Sequence, residues 1–108
     1  MSLTEINHQE IIITGFHALS DSIRIRVLDL LCTRELCVCE ITEILDIPQS
    51  KLSFHLKTLR EANLLHSRQQ GKWTYYSINL SQLVLLEKYL ADFRRSIVLL
   101  PTRICEDL

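Results

Sequence analysis

Three observations predict a mainly α-helical chain of about five helices with a single two-stranded β-hairpin. Only two glycines and two prolines occur in 108 residues, too few turn formers for a many-stranded sandwich. Leucine, isoleucine, glutamate, lysine and arginine are frequent, and all but isoleucine are strong helix formers. Between residues 64 and 78 the pattern changes, with aromatic and β-branched residues on either side of a turn. At 47% hydrophobic residues the chain can fill one core and not two, so residues 1–108 are read as one domain.

Each element follows from its spacing. Ile12, Phe16 and Leu19 recur at helical intervals, and Ser20-Asp21 stops that helix and caps the next. The second helix turns Ile23, Val27, Leu28 and Leu31 inward and ends near Cys32-Thr33-Arg34. A short third helix carries Val38, Ile41, Ile44 and Leu45 inward and ends at Asp46-Ile47-Pro48. Pro48 sits at or just before the first turn of a fourth helix, whose Leu52, Leu56 and Leu59 form an i, i+4, i+7 stripe. Two helices joined by about three residues, over about 38–63, make a helix-turn-helix. Leu64 to Arg68 and Trp73 to Ile78 then flank Gln69-Gln70-Gly71-Lys72, a hairpin or wing over about 64–78. From Asn79 or Ser81 as a cap, Leu83, Leu86, Leu90, Phe93, Ile97 and Leu100 run at near-heptad spacing over about 81–100, until Pro101. That seam either closes the monomer core or pairs two chains, and the stripe alone weighs the two equally. The whole is a winged helix-turn-helix. A dimer gains weight because such units commonly read two half-sites related by a two-fold axis.

A net charge of −1 first argues against nucleic acid, since phosphate binding relies on Lys and Arg displacing counterions. Distribution reverses the argument. Residues 1–48 hold three basic against eight acidic side chains, residues 49–72 five against one, and residues 73–108 four against four. The positive charge sits where the fourth helix and the wing fall. On that helix the apolar stripe leaves Gln49, Ser50, Lys51, Ser53, Phe54, Lys57 and Arg60 at or near the outer surface. Gln and Ser in the first two turns suit base edges in a major groove, while Lys and Arg further along suit the backbone. Arg68 and Lys72 in the wing would reach neighbouring phosphates or the minor groove. Taken singly, each of these residues is equally an ordinary solvated side chain. His55, at the edge of the stripe, is either packed or a DNA contact, at even weight. His8, His17 and His66 show no metal-ligand spacing.

The apolar stretches are short and broken by charge, and Met1-Ser2-Leu3-Thr4-Glu5 shows no basic segment followed by a hydrophobic run. The expectation is a cytoplasmic chain with no membrane span. There thiols stay reduced, so the four cysteines, two of them in Cys37-Val38-Cys39, read as ligands or reactive groups rather than bridges. Soft thiolates favour soft ions. In an undistorted helix, positions i and i+2 point about 200° apart, so both sulfurs converge on one ion only if the start of the third helix unwinds or twists. No phosphate-cradling loop, glycine-rich loop or Cys-His-Asp set accompanies the cysteines, and no enzyme is expected.

Three motifs occur in order: Glu35-Leu36-Cys37-Val38-Cys39-Glu40-Ile41; then Gln49-Ser50 with Leu52-Ser53, His55-Leu56-Lys57 and Leu59-Arg60; then Arg68-Gln69-Gln70-Gly71-Lys72-Trp73 with Tyr76. With Ala18-Leu19-Ser20-Asp21 ahead of them, they resemble the ArsR/SmtB family of metal-responsive repressors over roughly residues 12–100, and within it the arsenic-responsive branch. The resemblance implies a dimer built on the terminal helices. It also implies a homodimeric repressor bound to double-stranded operator DNA without effector, and released when As(III) or Sb(III) binds Cys37 and Cys39, with no permanently bound cofactor. Some arsenic-responsive members carry a third cysteine three residues after the pair, where this chain has Thr42. A third sulfur would come from Cys32, the preferred candidate, or from Cys105. Cadmium- and lead-sensing relatives add cysteines near the amino terminus, and none precedes Cys32. Zinc sensors use Asp and His pairs on the last helix, where only Asp92 is present with no histidine after His66. Phe54 replaces a residue that is often polar. The alternative is a thiol-redox repressor of the same fold, ranked lower because the short Cys-x-Cys ring would be strained.

Overall fold

The computed structural model describes residues 3–97. Five helices and three short strands follow in the order α1 (Leu3–Ala18), α2 (Ser22–Leu31), β1 (Leu36–Cys37), α3 (Val38–Leu45), α4 (Gln49–Glu61), β2 (Leu65–Gln70), β3 (Trp73–Ile78) and α5 (Leu80–Ser96). This is the expected winged helix-turn-helix, with one strand added. The sheet order is β1-β3-β2, all antiparallel. Strand β1 lies outside the hairpin and pairs Leu36 with Tyr76 and Cys37 with Tyr75. Two residues are too few to show a strand period, so spacing alone gave no signal for it.

Local chemistry sets the boundaries. The Asp21 carboxylate accepts the backbone N–H of Ile23 at 2.8 Å and of Arg24 at 3.1 Å, the N-cap that opens α2. Helix α3 ends where Asp46 adopts the left-handed conformation, φ 53°. Two residues later Pro48, at φ −62° and ψ 146°, opens α4. Asn63, also left-handed at φ 61°, ends α4. Its carbonyl accepts the Asn79 side-chain amide at 2.9 Å, and the Asn79 N–H donates to the Leu64 carbonyl at 2.9 Å. The exit of the wing is thereby tied to the exit of α4. Gly71, at φ 60°, shapes the two-residue turn between β2 and β3, and the strands extend through Gln69 and Gln70 beyond the expected loop.

The core gathers Val27 and Leu31 of α2, Leu36 of β1, Ile41 and Leu45 of α3, Leu52, Leu56 and Leu59 of α4, Leu64, and Tyr76 of β3. Helix α1 adds Ile12 and Ala18, and α5 adds Leu86. Gly15 permits the last contact, since a Cβ there would lie 2.7 Å from Leu86 Cδ2. Two expected inward positions differ. Ile44 is 44% exposed, because the eight-residue α3 turns Ile41 and Leu45 to the core and leaves the position between them outside. Ile97 has left the helix at φ −73° and ψ 123°; it begins the β-branched pair Ile97-Val98, which helices disfavour. Leu100 lies outside the described residues.

The α5 seam divides in two. Leu83 is half-buried and Leu86 is buried in the monomer core, whereas Leu90 and Phe93 are 55% and 62% exposed.

Candidate functional site

Helix α4 presents the surface foreseen for it. Leu52, Leu56 and Leu59 anchor it inward, and Gln49, Ser50, Lys51, Ser53, Phe54, Lys57 and Arg60 are all exposed. Phe54 is 64% exposed and meets the His55 ring edge-on at 5.3 Å between centroids. Lys57 Nζ lies 3.9 Å from Glu61 on an open face, a pair of little energetic weight in water.

His55 is packed, not presented. It is 6% exposed, and its Nδ1 accepts from Arg24 Nη1 at 3.0 Å. Arg24, itself 6% exposed, also donates Nε to the Ala18 carbonyl at 2.7 Å and Nη2 to the His17 carbonyl at 3.3 Å. Asp21 Oδ1 lies 3.7 Å from the same His55 nitrogen. The Arg24 and Ile23 N–H groups are the main reason the Asp21 carboxyl is held below its ordinary range. This cluster fastens the end of α1 and the start of α2 to the middle of α4. A sequence signal for Arg24 existed: it shares the phase of Val27, Leu28 and Leu31, and a charged residue on an apolar stripe is buried only when its donors are satisfied.

In the wing, Arg68 is engaged from three sides. It grips Glu35 with Nε to Oε2 at 3.1 Å and Nη2 to Oε1 at 2.5 Å, reaches Gln70 Oε1 at 2.6 Å, and lies over the Tyr75 ring at 4.8 Å. The guanidinium hydrogen bonds lower the Glu35 carboxyl, and the same contact raises Arg68. Lys72 is exposed, with Nζ 5.2 Å from the centre of the Trp73 ring.

The two cysteines converge. Their sulfurs lie 2.9 Å apart. Cys37 stands outside the helix as the N-cap of α3, with φ −89° and ψ 167°, while Cys39 is inside. The local departure from helix that convergence demands is therefore already built in. Glu40 completes the turn as a capping box: its Oε1 accepts the Cys37 N–H at 3.0 Å, and the Cys37 sulfur faces the Glu40 N–H. The spacing Cys-x-x-Glu carried this signal, with sulfur in the place of a hydroxyl. The Cys37 N–H lowers the Glu40 carboxyl. Burial, with help from the neighbouring Cys39 thiol, pushes the Cys37 thiol from 9.0 up to about 11. Cys37 is buried and Cys39 exposed. A groove of about 300 Å³ opens beside them, lined also by Val38, Thr42, Gln49, Lys72, Trp73 and Thr74.

Cys32 is exposed at the carboxyl end of α2, and among the described residues no three His, Cys, Asp or Glu side chains gather as a metal-binding group. Cys105 lies outside the described residues. No helix among those residues is long and apolar enough to cross a membrane.

Residues 21–67 match the family described as bacterial regulatory protein, arsR family. The chain is 42% identical over 83 residues to the arsenical resistance operon repressor of Bacillus subtilis, covering 74% of this chain and 79% of that protein. It is 45% identical over 65 residues to the arsenical resistance operon repressor of Escherichia coli, covering 59% of this chain and 56% of that one; it thus spans little more than half of this second relative. Among solved structures, a homodimeric winged helix-turn-helix DNA-binding domain from Mycobacterium bovis superposes with a TM-score of 0.71 at 24% identity, over 88% of this chain and 91% of that one.

Proposed function

Since the chain belongs to the arsR family of bacterial regulatory proteins, we propose that it is a cytoplasmic transcriptional repressor that binds operator DNA as a homodimer and is released when trivalent arsenic or antimony binds the Cys37 and Cys39 thiolates. The observation that carries this reading is the 2.9 Å approach of two sulfurs inside the DNA-reading unit. Trivalent arsenic is thiophilic, and a pair of thiols held at contact is a clamp that needs little rearrangement. The names of the relatives in Bacillus and Escherichia point to the same effector class.

The reading surface would be the exposed face of α4 with Arg68 and Lys72 flanking it. Gln49, Ser50 and Ser53 enter the major groove, Phe54 touches bases through its ring, and Lys51, Lys57 and Arg60 hold phosphates. Two copies joined through α1 and α5 set two such helices about one DNA turn apart. The uncovered residues Ile11, Ile13, Leu80, Val84, Leu90 and Phe93 supply that interface.

The two sulfurs belong to different parts of the unit. Cys37 ends β1 in register with Tyr75 of the wing, while Cys39 rides on α3. A bond from each sulfur to one atom locks α3 against the wing, and a change in that angle tilts α4 relative to Arg68 and Lys72. Differential affinity of the two arrangements for effector and DNA then produces release, with a coupling of about 1–3 kcal/mol or more. Two sulfurs suffice for this. A third would come from Cys105, or from Cys32 after residues 32–36 rearrange.

Fluorescence anisotropy on promoter DNA from the protein's own operon, titrated under reducing conditions with arsenite, antimonite, Cd(II) and Zn(II), tests the reading. Release by stoichiometric arsenite or antimonite is the expected result. Binding that ignores every metal and collapses on oxidation replaces the effector with a thiol-redox signal, and no DNA binding removes the reading altogether.

A further inference from the structure

We propose that the groove beside the thiol pair receives the organic substituent of a monosubstituted trivalent arsenical, R–As(OH)₂, where R is a small aromatic or alkyl group. This rests on the assignment of Cys37 and Cys39 as the effector clamp and adds the class of effector that the site fits.

Volume is the first argument. The groove holds about 300 Å³, the space of roughly ten waters at ~30 Å³ each and the lower end of ordinary small-molecule pockets. A single arsenic atom with a small hydroxyl fills a minor part of it. Valence is the second. Two sulfurs satisfy two of the three bonds of trivalent arsenic, and among the described residues no third donor joins them. In the exchange, two As–OH bonds break and two As–S bonds form. The two thiol protons leave with the hydroxides as two waters, arsenic stays trivalent, and the As–C bond is untouched.

The lining is the third argument. Trp73 is 45% exposed and with Val38, Thr42 and Thr74 lines the groove beside the two cysteines. An organic group placed there removes apolar surface from water. Gln49, the first residue of α4, and Lys72 of the wing complete the lining. Both are candidate DNA contacts, so a bulky substituent presses directly on the reading surface and displaces DNA more effectively than arsenite.

The chain has one tryptophan, so Trp73 emission reports the groove itself. The full chain, reduced, is titrated with arsenite and with phenylarsine oxide, and the adduct is weighed intact. The expected result is a change in Trp73 emission complete at one equivalent of phenylarsine oxide, an adduct that retains the phenyl group on Cys37 and Cys39, and an apparent affinity about tenfold or more above that for arsenite. Thr42→Phe and Thr74→Phe, which fill the groove from two elements, reduce that preference toward parity and leave arsenite binding in place. Equal affinity for the two compounds in the unaltered protein overturns the inference, as does a phenyl preference that survives both substitutions. Failure of both compounds to bind the thiols instead removes the underlying effector assignment.

Discussion

In α4 the apolar residues Leu52, Leu56 and Leu59 are at most 2% exposed, whereas in α5 Leu80, Val84, Leu90 and Phe93 are 50–70% exposed. Both helices carry apolar residues at helical spacing, and they use them differently. Helix α4 is enclosed by α2, α3 and the sheet, and its polar face is what remains outside. Helix α5 commits Leu86 and the half-buried Leu83 to the monomer and leaves Leu90 and Phe93 bare, as α1 does Ile11 and Ile13. Exposed apolar residues gathered on two neighbouring helices suit an interface. The contrast teaches that an apolar stripe specifies burial and not the partner that provides it. The helix-turn-helix core is enclosed within one chain, while the proposed homodimer would cover the outer helices with a second copy.

Substitutions that separate the two regions sharpen this comparison, and the largest effect is expected in the head. Leu59→Ala should cost about 2–5 kcal/mol in urea unfolding, the range for a fully enclosed leucine. A cost near that of a surface position would show that the head is not the closed unit described. On the outer helices, Leu90→Glu with Phe93→Glu should leave helical circular dichroism nearly unchanged and yield a monomer in sedimentation. Operator affinity should fall about 100-fold or more, because the second half-site contact is lost. A dimer that persists would place the interface elsewhere.

A smaller effect is expected at the junction of the two regions. Arg24→Met removes the donors to the Ala18 and His17 carbonyls and to His55. It should cost about 1–3 kcal/mol, the range for buried acceptors left unsatisfied, and thermal unfolding checks it. The smallest effect is an alkaline one. Burial pushes the folded Cys37 thiol up to about 11 from its ordinary 9.0, so between those values the folded state binds more protons. The contribution is fully present below 9.0 and lost as pH rises through about 11. Cys37→Ser should flatten that limb of the stability profile while the remainder stays unchanged.

Much of this architecture was legible because periodicity reports burial directly. The Leu52, Leu56 and Leu59 stripe placed α4 and, by exclusion, its outward face, and Asp21 and Pro48 marked helix starts through capping and fixed φ. What escaped depended on contacts between distant parts of the chain. Strand β1 exists because Leu36 and Cys37 find Tyr76 and Tyr75, and no local pattern announces a two-residue pairing. The grip of Glu35 on Arg68 across 33 positions follows from that pairing. His55 was balanced between packing and DNA contact because its partner Arg24 lies on another helix. The α5 seam divides: Leu86 packs on Gly15, whereas among the described residues Leu90 and Phe93 stay exposed. The convergence of the sulfurs was foreseeable as a requirement, and the N-cap position of Cys37 is how the chain meets it.

On the proposed function, Cys37 and Cys39 serve effector response and not the DNA-binding fold. Operator binding by the Cys37→Ser, Cys39→Ser protein is followed by anisotropy with and without stoichiometric arsenite. Serine at position 37 keeps an N-cap acceptor for α3, so the helix-turn-helix should be preserved. The expected result is operator affinity within about threefold of the unaltered protein, under about 0.7 kcal/mol, and no release by arsenite. Loss of DNA binding in the absence of arsenite, or undiminished release in its presence, would contradict it.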